Sequence, residues 1–517
     1  MKEDRRSPLS RRRFLGGVGA TAAGAVAAGA VPAITGGDPA AAATPSNRFG
    51  RIFPSLPPFF NQVDDRLLAA LRDMGKPGGL LDAKDNLAAG PVQLIADPSL
   101  SLNNPDNQTH TAGTHFFGQF LDHDMTFDTS SKLGVPTAPE TSPNGRTPAF
   151  DLDSVYGGGP VASPTLYESD HVKLRIESGG LFEDLPRMPD GTAIIAEPRN
   201  DENAMIAGLQ CALILFHNQV VDMLRSQGVL PSQQFAMARR LVTWHYQWII
   251  VHEFLPLFIG APLVQNILTS GRQWYRPEPG PAYIPVEFQG AAYRFGHSMV
   301  RPSYRLNLHG NPDGSAFFGF IFDPSQEGVA DPNDLRGGHR APRRFVGWQT
   351  FFDFGGSFST DLRRNKRIDT KISTPLFNIP LATIPSADPP TALAQRNLLR
   401  QVTWSIPAGQ RIAQTMGNPM LHLQELADYG IALENQTPLW YYVLAEAEQL
   451  AGGLTLGPTG GRIVGEVFIG LLQLDPNSYL RAAPAGWVPT LPAKVPGTFT
   501  IVDLLTFAKV DPTSRGQ

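Results

Sequence analysis

Apolar side chains recur three and four apart at Ile206, Leu209, Leu213, Phe216, Val220 and Leu224, the stripe of a helix that packs one face into a core. Glu202 ahead of the stripe and Gly228 behind it supply start and stop signals, so the pattern predicts one long helix here. A second helix is predicted from Gln233 to about Ile259, and further ones near residues 64–74, 391–401 and 440–451. Strand signals are sparse. Residues 172–176 and 193–195 flank Pro189-Asp190-Gly191 and predict a short hairpin. The Pro-rich connections 273–285 and 380–390 are too short to be domains. The fold class is mainly α.

Size alone would suggest roughly two to four domains. With 42% hydrophobic and 17% charged residues the chain is globular, and a net charge of -4 gives no electrostatic case for nucleic acid. Gly 51 and Pro 47 describe a loop-rich protein, consistent with a large buried ligand organising the chain. Cys211 is the single cysteine, which excludes an internal disulfide, and its place in the apolar helical pattern makes it a buried structural thiol.

At the N-terminus, Ser10-Arg11-Arg12-Arg13-Phe14-Leu15 carries the paired arginines of a twin-arginine export signal. Ala- and Gly-rich sequence leads to a small-residue cleavage site at Ala41-Ala42-Ala43. Residues 1–43 are therefore predicted to be an export signal read by the twin-arginine machinery, leaving 44–517 as the secreted or cell-envelope protein. Five glycines between Gly16 and Gly29 make this stretch a poor anchor, and no stable membrane span is expected in the mature form.

Chemistry concentrates in Gly118-Gln119-Phe120-Leu121-Asp122-His123-Asp124, an amide, two carboxylates and an imidazole among Phe116, Phe117, Met125 and Phe127. Polar groups this dense in an apolar setting are costly to bury without partners. In a helix, Gln119 and His123 share a face while Asp122 and Asp124 point elsewhere. Alone, the run is equally a solvated acidic patch beside a core histidine. Further on, Thr147, Asp151 and Asp153, with the intervening carbonyls, can wrap a hard cation in oxygen ligands, and Asp124 could complete the set. Arg199, in Pro198-Arg199-Asn200-Asp201-Glu202-Asn203, is either a helix-cap partner or a stabiliser of negative charge on oxygen. His297 follows a glycine in apolar surroundings, within Tyr293-Arg294-Phe295-Gly296-His297-Ser298-Met299-Val300. In Arg396-Asn397-Leu398-Leu399-Arg400, an amide could orient an imidazole from behind.

These five segments, in this order, resemble the animal-type haem peroxidase superfamily, the myeloperoxidase-, thyroid-peroxidase- and peroxidasin-like enzymes, and in particular a bacterial member. The motifs run from about residue 105 to 410. The resemblance implies a single large helical domain, spanning 44–517, around a buried haem b, with very little β structure. His123 matches the distal base, Arg199 the distal arginine and Gln119 the distal amide. His297 matches the iron ligand and Asn397 its hydrogen-bonding partner, with Arg294 on the cofactor. Asp124, Thr147, Ala149 through its carbonyl, Asp151 and Asp153 match a Ca2+ site. Asp122 and Glu202 match carboxylates that form ester links to haem in mammalian relatives. The implied activity is reduction of hydrogen peroxide, through a ferryl intermediate, at the expense of a small reducing substrate: a halide, thiocyanate or an aromatic donor.

Asn203 stands where myeloperoxidase has the methionine of a sulfonium link, so no such link is expected. A fatty-acid dioxygenase or cyclooxygenase is the nearest alternative, but those enzymes use a tyrosine three residues before the iron ligand, and here that residue is Arg294. A secreted, non-catalytic adhesion protein on the same fold is another. His245 and His252 are expected to pack in the core, His217 and Asn218 to form a structural polar pair, and the loops 318–323 and 345–354 to border the pocket.

Overall fold

A computed structural model describes residues 47–517, apart from 129, 339–341 and 385; the predicted export signal, 1–43, lies outside the described residues. The helices that position the site are α1 (Asp65–Met74), α2 (Ala112–Met125), α3 (Ala204–Ser226), α4 (Pro231–Ile249), α5 (Leu393–Thr403), α6 (Leu439–Ala451) and α7 (Pro458–Leu474). Among the described residues the strands form three antiparallel pairs: β1 (Asp106–Thr111) with β6 (Arg364–Lys366), β2 (Glu177–Ser178) with β3 (Glu183–Asp184), and β4 (Ser303–Arg305) with β5 (Phe318–Phe320). The fold is mainly α.

The stripe that predicted α3 is its buried face: Leu209, Leu213, Phe216, Val220 and Leu224 are all buried. Each such side chain contributes roughly 1.5–3 kcal/mol when taken out of water. Asn203 caps the helix, accepting the Ile206 N–H at 3.0 Å. Although α3 is long and apolar enough to cross a membrane, 78% of its most apolar window is buried within the protein, as suits a core helix. It packs on α4 and on α2. Beyond α4 the chain continues through one π-turn, Ile250–Phe254, into Leu255–Ile259, and Gly260 ends it at φ 80. The sequence predicted that whole stretch as one helix.

Two sequence expectations fail for identifiable reasons. The hairpin of 172–176 with 193–195 does not form. The Leu174 N–H and carbonyl are instead bonded to the Asn218 amide, each at 2.8 Å, and the Val172 carbonyl faces His217 Nε2 at 2.9 Å. Side chains of α3 thus take the backbone groups a partner strand would have taken. The turn at Pro189-Asp190-Gly191 does exist, closed by a bridge between Arg187 and Ala193. Helix α7 escaped prediction because glycines interrupt its pattern. They are there for close packing: a Cβ on Gly460 would lie 2.7 Å from Val443 of α6, and one on Gly465 would lie 2.6 Å from Ile259.

Helix α2 is anchored at its start. β1 feeds directly into it, and the first amides of the helix, Ala112 and Gly113, donate to the carbonyls of Arg363 and Phe351, both at 2.9 Å. Gly113 permits this seat, since a Cβ would meet the Phe352 ring at 2.4 Å. Helices α6 and α7 pack behind the short segment 292–299, and Trp440 Nε1 donates to the Arg294 carbonyl at 3.1 Å.

Candidate active site

Between α2, the start of α3 and the segment 293–297 lies a cavity of about 270 Å3. Gln119, Asp122, His123, Arg199, Glu202, Arg294 and His297 all line it. Seven of the residues singled out in three separate motifs therefore converge on one space. Its remaining wall is largely apolar, with Phe254, Phe258, Phe295, Ile321, Leu376 and Ile379.

His123 and Gln119 share the face of α2 turned to this cavity. His123 Nδ1 lies 2.8 Å from Asn200 Oδ1, which leaves Nε2 free of the backbone and 3.9 Å from Glu202 Oε2. Burial, reinforced by the nearby Arg199 guanidinium, pushes the imidazole down to about 3, so it is neutral at ordinary pH. Gln119 Nε2 donates to Glu202 Oε2 at 3.3 Å, and Asn203 Nδ2 donates to Gln119 Oε1 at 3.4 Å. Burial pushes the Glu202 carboxyl up to about 8, despite Arg199, so at neutral pH it is largely protonated.

Arg199 sits in a net of acceptors. Nε donates to Glu197 Oε1 at 2.9 Å, Nη2 donates to the Thr126 carbonyl at 2.6 Å, and Nη1 lies 3.7 Å from Asp122 Oδ2. The guanidinium stacks over Phe127, 4.4 Å from the ring centroid. Glu197 is fully buried; burial alone would raise its pKa, yet Arg199 and Arg146 together hold it down to about 2. Burial also raises the Asp122 carboxyl, while Arg199 and Arg294 pull the other way.

On the opposite side of the sequence, His297 occupies the short helix Gly296–Met299. Its Nδ1 is 2.8 Å from Asn397 Nδ2, and Asn397 Oδ1 accepts from Arg294 Nη1 at 3.0 Å. Burial and Arg294 push this imidazole down to about 3. Nε2 is thus the nitrogen available to a ligand. A neutral imidazole that gives Nε2 to a metal carries its proton on Nδ1. That state calls for the Asn397 amide turned about its terminal torsion, with Oδ1 at the ring and the Arg294 Nη1 bond to Oδ1 given up. Burial and the neighbouring Arg400 push Arg294 down to about 10. Arg396 and Arg400 line the cavity beside it, and only Arg400 of the two has a carboxylate partner, Asp128 at 2.6 Å.

The acidic loop lies on the far face of α2. Carboxylate oxygens of Asp124, Asp151 and Asp153 lie within 4.8 Å of one another. Asp124, fully buried, also accepts from Ser154 Oγ at 2.7 Å and Tyr246 Oη at 3.2 Å. Its acidity is suppressed by burial and then by Asp153 and Asp151, and burial pushes Asp151 up to about 7. Position at the negative end of α2 adds to the cost of a third carboxylate. Thr147 joins the group by donating its N–H to Asp153 Oδ2 at 3.1 Å, and the Ala149 N–H turns back to the Thr147 carbonyl at 2.8 Å.

A family model described as animal haem peroxidase matches residues 131–316. That span holds the acidic loop, Arg199 and His297. Chorion peroxidase of Drosophila melanogaster is 31% identical over 182 residues, covering 32% of this chain and 22% of its own length. Over residues 131–316 the chain is similar to the animal haem peroxidase family. Heme peroxidase 2 of Caenorhabditis elegans is 29% identical over 184 residues, 32% of this chain and 26% of its own. These alignments thus span about a quarter of the curated relatives' length. Peroxidase A of Dictyostelium discoideum shares the fold at a TM-score of 0.57 and 17% identity, over 84% of this chain and 88% of its own. A fatty acid alpha-dioxygenase of Arabidopsis thaliana shares it at 0.53 and 16%, over 84% and 73%.

Haem, the group that the animal haem peroxidase family binds, fits the cavity. An imidazole nitrogen, an apolar wall and three guanidiniums suit an iron porphyrin with two carboxylates. The matched family span excludes α2 and Asn397, so Gln119, Asp122, His123 and Asp124 are tied to this pocket by geometry. Not every expectation holds. Ile321 and Phe322 of the first predicted border loop do line the pocket, but Phe345, Val346 and Trp348 of the second line a separate cavity of about 50 Å3 beside Cys211. His245 is in the core, accepting the Thr490 and Leu491 amides, whereas His252 is exposed and stacks on Trp248 with centroids 3.7 Å apart. Sequence reasoning missed Glu197, Asn200, Gln210 and Arg146. The one local hint was Glu197-Pro198, an acidic cap and an N1 proline that set the turn carrying Arg199.

Proposed function

We propose that this protein is a haem peroxidase that reduces hydrogen peroxide to water and oxidises a small donor, a halide, thiocyanate or a phenol. The observation that carries the reading is the convergence of His123, Arg199 and His297 on one cavity whose wall suits a porphyrin. Bound haem supplies a redox-active iron that relays two electrons from donor to peroxide. His297 would hold the iron through Nε2, and Arg294, with Arg396 and Arg400, would receive the carboxylates. His123, neutral and open at Nε2, takes the proton from one peroxide oxygen and hands it to the other, which leaves as water. Arg199 Nη1 faces the charge that develops as the O–O bond breaks. Gln119 fixes a water or halide near Nε2. Two further protons and two electrons, the latter from the donor, complete the balance to two waters.

Asp122 and Glu202 are the candidates for ester links, and Asp124, Thr147, Ala149, Asp151 and Asp153 for a Ca2+ that pins α2 from behind. Residues 1–43 act as a twin-arginine signal and the mature domain, 44–517, works outside the cytoplasm; N-terminal sequencing of exported protein checks the cleavage point. A fatty-acid dioxygenase reading draws on the shared fold, but Tyr293 gives its hydroxyl to the Gly118 carbonyl at 2.8 Å, and Arg294 holds the position of the required tyrosine. The test is a donor screen on haem-loaded protein. Peroxide-dependent oxidation of iodide, thiocyanate or guaiacol supports the proposal; oxygen uptake with an unsaturated fatty acid, without donor oxidation, overturns it. Haem that binds with neither activity would point to an adhesion role.

A further inference from the structure

Beside the residues given roles above, one buried side chain touches His123 directly. Asn200 is fully buried in the turn between Arg199 and α3, with Oδ1 2.8 Å from His123 Nδ1. Its other amide atom is also committed: Nδ2 donates to Gln210 Oε1 at 2.8 Å, and Gln210, two turns into α3, is itself buried. An asparagine amide left to itself can present either end to a neighbour. Here the Gln210 carbonyl oxygen claims the nitrogen, which turns the Asn200 oxygen toward the ring. An oxygen acceptor at Nδ1 demands a proton there, and the neutral ring then has its lone pair on Nε2, the nitrogen that faces the cavity.

We propose that Asn200, held by Gln210, is a positioning residue that selects the tautomer of His123 and aims its basic nitrogen at peroxide. This rests on the peroxidase reading and adds to it a device for keeping the base ready. The geometry explains a chemical difficulty. A buried neutral imidazole with no acceptor at Nδ1 divides between two tautomers and two ring orientations, and only one of the four combinations places a lone pair at the reacting atom. Asn200 is also uncharged, so it orients the ring with less gain in basicity than a carboxylate would give. A carboxylate there would stabilise the imidazolium and raise the pH at which the base is lost.

The test uses haem-loaded full-length protein and four variants: Asn200→Ala, Asn200→Asp, Gln210→Leu and, as reference, His123→Ala. Two rates are measured by stopped-flow absorption across pH: reaction with hydrogen peroxide, and binding of cyanide. Cyanide arrives as HCN and must also surrender its proton to the base, so it reports the base without turnover. Asn200→Ala is expected to slow both reactions by about ten- to a hundred-fold with the resting spectrum unchanged. Gln210→Leu, which keeps Asn200 but frees its amide to turn, is expected to slow both by a smaller factor. Asn200→Asp is expected to keep the rates near neutral pH and to move the acid limb of both profiles upward. If His123→Ala is slow while Asn200→Ala and Gln210→Leu match the parent at every pH, the positioning role is wrong and the peroxidase reading stands. If His123→Ala itself reacts with peroxide as fast as the parent, the peroxidase assignment fails first. Loss of haem in Asn200→Ala would make its role structural, and the Gln210→Leu and Asn200→Asp profiles, unmoved in cyanide binding, would then overturn the inference.

Discussion

A histidine on a protein surface is half protonated near pH 6.5, which would disable a base under mildly acidic conditions. His123 is held at about 3 by burial and by Arg199, and the sign of that shift has a kinetic consequence. The base is present at every pH above its folded-state value and lost only as pH falls through that value. The rate of reaction with peroxide should therefore stay flat from neutral pH down to about 4. A midpoint near 6.5, assigned to His123 by its loss in His123→Ala, would contradict the burial. At this scale much of the site was legible. Gln119, Asp122, His123 and Asp124 draw attention because dense polarity beside phenylalanines must find partners inside. Glu197 and Asn200 do not, since their worth comes from Arg146, fifty-one residues upstream of Glu197, and from Gln210, ten residues beyond Asn200. No local pattern encodes such meetings.

Helix α2 links the two halves of the site, with His123 on one face and Asp124 on another. If a calcium ion joins Asp124 to the loop at 151–153, removing it leaves three mutually repelling carboxylates, one of them fully buried. Chelator should lower the melting temperature of the parent and leave Asp124→Ala, already weakened, almost unaffected; equal shifts in both would count against the ion. A second element-scale prediction concerns α5, which carries Asn397 and packs on α1. A Cβ at Gly75, the end of α1, would lie 2.6 Å from the Gln395 backbone nitrogen. Gly75→Ala should cost about 1–3 kcal/mol in denaturant unfolding. No change would mean the two helices part more easily than their packing suggests. The long helices were legible because one apolar face has a period. The hairpin at 172–176 was not, because Asn218 and His217 of α3 supply what its strands were expected to supply to each other.

For the molecule as a whole, the site draws on segments from residue 112 to residue 403, and helices α6 and α7 back the His297 segment. A ligand gripped by parts so far apart in sequence should couple to global unfolding. Haem present at a hundred times its dissociation constant is predicted to stabilise the fold by about 2.7 kcal/mol, read as a rise in melting temperature. A melting curve indifferent to haem would place the cofactor elsewhere. The mainly α class was legible from periodicity, but the cavity at His123 and His297 was not, because it is formed by chain crossings that no window of sequence contains. The most direct test of the central claim is the absorption spectrum of haem-loaded parent, His297→Ala and His123→Ala, before and within milliseconds of adding peroxide. The account predicts that His297→Ala loses the cofactor or its resting spectrum, and that His123→Ala keeps the spectrum but responds at least a hundred-fold more slowly. Unchanged haem in the first variant, or an unchanged rate in the second, would contradict it.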